Sequence, residues 1–281
     1  MDFSRRDMIK VGAGAAALWA TGLDSLAAKA KPKKKIPIGL QLYSIRGEAA
    51  KDLPGVLKAV AEMGYQGVEF AGYYGHKAED IRKLLDENGL KCCGTHTGLN
   101  TLSEENFQAT VDFNKTLGNK YLIVPSLPGA NRESAQALLE TAKLFTELAK
   151  KAKPQGMVVG YHAHGGDFKK FDGQTGWDII FSNSSPDVVM QLDIGNCLGG
   201  GGDPYAVLKK YPGRSATVHL KEHGGDRGSV LGEGDVDWEQ VFRICETTGG
   251  TEWYIVEDER GAGSPLDRVK RGLENLRKMG K

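Results

Sequence analysis

From Ile36 onward the chain alternates two hydrophobic patterns: short continuous apolar runs, and longer stretches in which apolar positions recur three or four apart. The runs predict strands and the spaced stretches predict amphipathic helices. A first strand is expected over 38–45, then a helix over 52–63. A strand over 67–71 precedes a helix over 77–88, with Gly89 as its C-terminal stop. Residues 91–96 read as the third strand, and Ser103 is placed to cap the helix behind it. The fourth strand is expected over 121–125 before a long helix over 131–151. The fifth covers 157–162, with a short helix around 177–181. Strand six covers 188–193, and Pro204 opens a helix ending at Tyr211. Strands seven (216–220) and eight (253–257) are followed by helices over 238–245 and 265–279.

Eight strand-then-helix units in about 245 residues match the size of a (β/α)₈ barrel, roughly 250 residues. Their alternation predicts a parallel sheet. An open doubly wound sheet is the rival. The count of eight, and the lack of Gly-x-Gly-x-x-Gly after the first strand, favour closure. No linker interrupts residues 36–281, so they are predicted to form one α/β domain, a TIM barrel.

The preceding segment has another character. Arg5-Arg6 is followed by Met8-Ile9-Lys10, a weakly apolar stretch from Val11 to Leu23, and the alanine-rich end Ala27-Ala28-Lys29-Ala30. That order predicts a signal peptide over 1–30, and the paired arginines resemble a twin-arginine export signal. The expectation is a periplasmic or otherwise exported protein that meets the twin-arginine machinery in transit. The stretch is too short and too rich in Gly and Ala for a stable membrane anchor.

Charge narrows the partners. The chain carries 37 basic and 36 acidic residues, a formal charge of +1. A nearly neutral protein has no electrostatic reason to hold nucleic acid or an anionic membrane. The basic run Lys31, Lys33, Lys34, Lys35 reads as a solvated tail. The four cysteines lack metal or disulfide spacing: Cys92 and Cys93 are adjacent in a strand, and Cys197 and Cys245 are isolated, so buried free thiols are expected. A homo-oligomer is compatible with the sequence.

Chemistry in such barrels takes place at the C-terminal ends of the strands. All six histidines fall there or in the loops beyond: His76, His96, His162, His164, His219 and His223. Carboxylates Glu69, Asp193 and Glu257 end strands two, six and eight. Four neighbouring strand ends therefore offer His162, Asp193, His219 and Glu257 as ligands for one divalent ion. At the fifth strand His164 or Asp167 could serve instead of His162. Mixed imidazole and carboxylate donors suit Mn²⁺ or Zn²⁺, with Co²⁺ or Fe²⁺ also acceptable, better than Ca²⁺. Asp193 could alternatively cap the turn at Gly195-Asn196.

Several short motifs, in order over about residues 36–279, resemble the xylose-isomerase-like superfamily of sugar phosphate isomerases and epimerases, which also holds the endonuclease IV-type nucleases. They are Gly67-Val68-Glu69-Phe70, Gly94-Thr95-His96-Thr97, Gly160-Tyr161-His162-Ala163-His164, Gln191-Leu192-Asp193-Ile194-Gly195-Asn196, Val218-His219-Leu220-Lys221-Glu222, Gly232-Glu233-Gly234-Asp235-Val236-Asp237-Trp238 and Ile255-Val256-Glu257. The resemblance implies a single metal held by Glu, Asp, His and Glu from strands five to eight. Asp193, His219 and Glu257 match the last three, whereas His162 replaces the first glutamate. Family epimerases use the two glutamates as an acid/base pair, so the replacement weakens that route. The Tyr-His-x-His variant resembles a subgroup linked to dehydratases and to enzymes of 3-keto glycosides. The nuclease chemistry is disfavoured, because Gly228 and Asn196 stand where extra metal-binding histidines would be.

The shared reaction implied is proton abstraction next to a carbonyl of a small sugar or sugar derivative. Glu257, His162 or His96 is the expected base, and Lys221 the expected donor to the enolate or a hydroxyl. Glu69, His96, His164 and Lys221 are expected to bind substrate. Metal-dependent isomerisation or epimerisation is the leading expectation. A lyase or hydratase acting on 3-keto glycosides by the same enolate chemistry is the alternative, and a non-catalytic sugar-binding barrel the second. Gly199–Gly202 is expected to be a flexible loop at the mouth; it lacks the Lys-Ser/Thr of a phosphate-binding loop.

Overall fold

A computed structural model describes residues 35–259, 261 and 263–281. The expected signal peptide lies outside the described residues. Within them, eight parallel strands close into a barrel. They are β1 (Ile38–Gln41), β2 (Gly67–Phe70), β3 (Lys91–His96), β4 (Tyr121–Val124), β5 (Val158–His162), β6 (Val189–Asp193), β7 (Thr217–Leu220) and β8 (Trp253–Val256). Each pairs with its neighbour in chain order. Closure places Ile38 of β1 opposite Tyr254 of β8, and Leu40 opposite Val256. The predicted TIM barrel is the observed fold. A separate two-stranded hairpin, Lys170–Phe171 with Gln174–Thr175, lies between β5 and β6 in the chain.

Strands this short survive because both faces are covered. Every residue of β1, β2, β4, β6 and β7 is buried. Outward residues meet the helices. The helix Ala135–Ala152, for example, buries Leu138, Ala142, Phe145, Leu148, Ala149 and Ala152 on one stripe. Truncating a fully enclosed ring such as Phe145 to Ala would cost about 3–5 kcal/mol. Tyr121, Ile123 and Val189 form a small second cluster, with Val158, Ala216 and Trp253 packed on it. All four cysteines are free and buried.

Most element boundaries shift by a residue or two, and side chains explain the larger departures. β1 stops at Gln41 rather than Ile45 because the Gln41 side chain accepts the Tyr43 N–H at 3.0 Å and starts a 3₁₀ turn over Leu42–Ile45. Ser103 does not cap a helix. Leu99–Leu102 forms a 3₁₀ turn, and the helix begins at Phe107 behind Asn106. The long helix starts at Ala135 because Ser134 accepts the Ala137 N–H at 3.1 Å. Beyond β6, an additional helix over Ile194–Gly199 takes in the first residue of the loop expected over Gly199–Gly202. Of the glycines after it, Gly200 and Gly202 are closely packed, whereas Gly201 is exposed with open space around it. A Cβ on Gly200 would lie 2.2 Å from the Gly165 carbonyl oxygen, so only glycine fits.

Candidate metal centre

Strand alternation sends every second residue into the barrel. On β6 these are Gln191 and Asp193, on β7 Thr217 and His219. Register sets Asp193 opposite His219 and His162 opposite Gln191. The result is a polar layer at the C-terminal mouth. Ligand atoms of His162, Asp193, His219 and Glu257 all lie within 4.8 Å of one another. A second group, His96, His162 and His219, overlaps it. The four-residue group has the better chemistry for a divalent ion, since its two carboxylates balance the charge while His96 spends Nε2 elsewhere.

That expenditure is on the floor beneath. Glu69 is fully buried, and its Oε2 meets His219 Nε2 at 2.6 Å, Gln41 Nε2 at 2.7 Å and His96 Nε2 at 3.2 Å. Its Oε1 accepts Gln191 Nε2 at 2.8 Å. Glu69 was expected to bind substrate hydroxyls; instead its carboxylate is closed off by four protein partners and orients His219. Burial alone would raise its pKa, but the His96 and His219 rings hold it well below the ordinary value.

Each remaining member has a distinct electrostatic position. His219 loses hydration, yet Glu69 and Glu257 push its pKa up to about 10. Its Nδ1 meets Glu257 Oε2 at 2.6 Å. A proton there does for the two groups what a cation would do. Burial lowers the His162 pKa, and the neighbouring His219 charge lowers it further, so its ring stays neutral and able to ligate. Glu257 is held low against burial by its hydrogen bond to charged His219 and by Lys221. Asp193 is shifted the other way, by burial first and by Glu257 second. It does cap the next helix, taking the Asn196 N–H on Oδ1 at 2.7 Å. Its Oδ2 is buried with no hydrogen-bond partner among the described residues. A bare buried carboxylate oxygen costs free energy unless something positive meets it. Oδ2, beside two imidazoles and a second carboxylate, fits a divalent metal ligand.

The fifth-strand alternatives separate clearly. Asp167 accepts the Tyr161 hydroxyl at 2.8 Å and the His164 N–H at 2.7 Å, so it braces the loop. His164 is exposed at the mouth, edge-on to His162. His162 alone of the three joins the cluster. Lys221 reaches the same face, as expected, but its ammonium is committed to Glu257 Oε1 at 3.0 Å and Glu259 Oε2 at 2.7 Å. A cavity of about 430 Å³ opens above, lined by Tyr43, His96, Ser126, His162, His164 and Glu257 among others. That volume suits a small polar ligand. Sequence reasoning missed Tyr43, Ser126, Gln41, Gln191 and Thr217. Gln191 and Thr217 carried a signal, each being a polar residue two positions before a candidate ligand in an otherwise apolar strand.

A closed (β/α)₈ barrel with an imidazole–carboxylate cluster at its C-terminal mouth is the class of protein this geometry defines. The family described as "Xylose isomerase-like TIM barrel" matches residues 57–279, and the chain belongs to it. It is 26% identical over 245 residues to an inosose dehydratase of Clostridium beijerinckii, covering 72% of this chain and 82% of that one. A crystal structure of a sugar phosphate isomerase/epimerase from Parabacteroides distasonis superposes with a TM-score of 0.76 at 26% identity, covering 87% of this chain and 98% of that one. The IOLI protein, whose crystal structure contains a zinc atom, shares the fold with a TM-score of 0.66 at 16% identity, over 87% of this chain and 96% of its own.

Proposed function

We propose that the protein is a divalent-metal-dependent lyase that removes water, or another group β to the carbonyl, from a keto sugar or keto-cyclitol. It is an enzyme acting on sugars, of the isomerase/epimerase or lyase kind. The observation that carries the lyase choice is the composition of the quartet. β5 contributes a buried neutral imidazole where two-base epimerases of the family carry glutamate, so a facing pair of carboxylate bases is not built. The likeness to an inosose dehydratase supports the same choice.

His162, Asp193, His219 and Glu257 would hold the ion. Mn²⁺ or Zn²⁺ suits these donors best, with Co²⁺ or Fe²⁺ next. Once bound, a divalent ion supplies Lewis-acid polarisation of the substrate carbonyl, worth several kcal/mol. Lys221 keeps Glu257 ionised and in place. Tyr43, Ser126 and His164 line the cavity where sugar hydroxyls would sit. His96 is the proposed base. It lines the cavity and its Nε2 is spent on Gln191 and Glu69, which leaves Nδ1 to take the proton. The C–H electron pair becomes the new C=C bond and the neighbouring C–O bond breaks. The proton held by His96 then leaves with the hydroxyl as water. A positioned base of this kind contributes about 10²–10⁴-fold.

The test is to incubate Mn²⁺-loaded protein in D₂O with keto-inositols and with 3-keto glycosides, following products by NMR. Loss of water or of the aglycone with appearance of an unsaturated ketone supports the proposal. Deuterium entering recovered sugar without such loss assigns isomerisation or epimerisation instead, and binding without exchange assigns a sugar-binding barrel. Export through the twin-arginine pathway is part of the proposal. Cell fractionation of the wild type against an Arg5→Lys/Arg6→Lys variant tests it, and an unchanged distribution would remove it.

A further inference from the structure

We infer that Gln191 is a positioning residue that dictates which ring nitrogen of His162 carries its proton, and thereby turns the other nitrogen's lone pair to the ligand cluster. The inference rests on the metal-binding part of the proposed function. Gln191 is fully buried, and every polar atom of its amide is engaged. Its Nε2 faces Glu69 Oε1 at 2.8 Å and Thr217 Oγ1 at 3.0 Å. Its Oε1 faces His162 Nδ1 and His96 Nε2, each at 3.1 Å.

Chemistry fixes the direction of this chain of contacts. An ionised carboxylate only accepts hydrogen bonds, so the amide group facing Glu69 must be the NH₂. The amide oxygen then points at both imidazoles. An oxygen only accepts, so His162 Nδ1 and His96 Nε2 must both be N–H donors. In a neutral ring the second nitrogen is then unprotonated. For His162 that is Nε2, the atom left for the cluster it shares with Asp193, His219 and Glu257. Glu69 thus orients both imidazoles of the quartet: His219 directly through Oε2, and His162 through Oε1 and the Gln191 relay. Such outer partners fix tautomer and ring angle, and losing one costs about 10–100-fold in metal affinity. Thr217 Oγ1 gives the amide a second anchor, and a hydroxyl there is indifferent to direction, so it leaves the assignment to Glu69.

Three proteins test this: the wild type, Q191M, and the double variant E69Q/Q191E. The methionine fills the space without a polar group. The swap keeps an amide–carboxylate bond in the pair and keeps an acceptor facing both histidines. Nitrogen-15 imidazole shifts are recorded on metal-free protein, and Mn²⁺ affinity is measured by titration calorimetry, with circular dichroism as the check on folding. The expected result is a single Nδ1–H tautomer at His162 in the wild type and the swap, and a mixture in Q191M. Mn²⁺ should bind about 10–100-fold more weakly to Q191M than to wild type, and the swap should recover most of that loss. An Nε2–H tautomer in wild type overturns the inference. So does a folded Q191M with the wild-type tautomer and affinity. If Q191M fails to fold, the swap decides alone: an Nε2–H or mixed ring at His162 overturns the inference, and a pure Nδ1–H ring upholds it. Wild-type protein with the expected tautomer but no Mn²⁺ binding would remove the metal-dependent proposal and leave the tautomer assignment standing.

Discussion

Replacing Asp193 by Asn separates the ligand role from the structural role, because the two roles use different oxygens. Oδ1 accepts the Asn196 N–H at 2.7 Å, and the asparagine oxygen can keep that cap. Oδ2 is buried without a hydrogen-bond partner among the described residues and shares its cluster with Glu257. In metal-free protein the substitution replaces a carboxylate–carboxylate repulsion by an amide donor beside Glu257. Relieving one unsatisfied buried polar group returns about 1–2 kcal/mol. For a domain of this size that raises Tm by about 2–8 °C. Metal response should move oppositely. At a Mn²⁺ concentration of about 100 Kd the wild type gains about 2.7 kcal/mol. Losing a ligand should weaken binding by at least the ~100-fold that outer partners can cost, which abolishes that gain. Differential scanning calorimetry of both proteins, with Mn²⁺ and with chelator, reads all four states. The variant should start higher and stay flat while the wild type climbs past or up to it. A variant that melts lower without metal yet still responds fully to Mn²⁺ would refute the assignment of Oδ2 as a ligand atom.

Other expectations follow from contacts away from the cluster. The Arg214 guanidinium donates to the carbonyls of Phe181, Ser185 and Val188 and to Ser184 Oγ. Arg214→Ala should therefore cost about 2–4 kcal/mol, seen as a lower Tm with unchanged Mn²⁺ affinity; an unaltered Tm would contradict it. Glu222 gathers the loop after β7, accepting the Gly232 and Val236 N–H groups and Trp238 Nε1. In Glu222→Ala, limited proteolysis should cut between residues 224 and 236 well before the rest of the chain, and a wild-type digestion pattern would count against this role. Asp178 sits low because, although burial raises its pKa, hydrogen bonds from Lys210 and Tyr211 outweigh that. The stabilisation it gives is present above its unfolded pKa and lost as pH falls through its lower folded value. The Tm gap between wild type and Asp178→Asn should accordingly narrow on acidification, and a constant gap would contradict the ion pair.

The barrel was legible because each strand is a buried apolar run bounded by turn residues, and eight such runs leave few topologies. What the pattern could not show was where side chains interrupt it. Gln41 ends β1 by folding onto the Tyr43 N–H, and Asp193 caps a helix over Ile194–Gly199 where only a turn at Gly195-Asn196 was expected. The four proposed ligands were legible as polar strand ends on neighbouring strands. Depth was not. Glu69 has the same appearance in sequence as Glu257, yet it lies below the cluster. The β2–β3 register shifts between Val68 and Glu69, and Gly94 leaves the carboxylate room: a Cβ there would lie 2.3 Å from Glu69 Oε1. A strand-end carboxylate can thus face the substrate or support a ligand, and only the register across the barrel decides which.

The proposed quartet of His162, Asp193, His219 and Glu257 would hold one divalent ion. The most direct measurement is anomalous diffraction at the manganese edge from crystals grown with Mn²⁺. A single strong peak is expected in contact with His162 Nε2, Asp193 Oδ2, His219 Nδ1 and a Glu257 carboxylate oxygen. A peak held by other residues, or none at a saturating concentration, would contradict it.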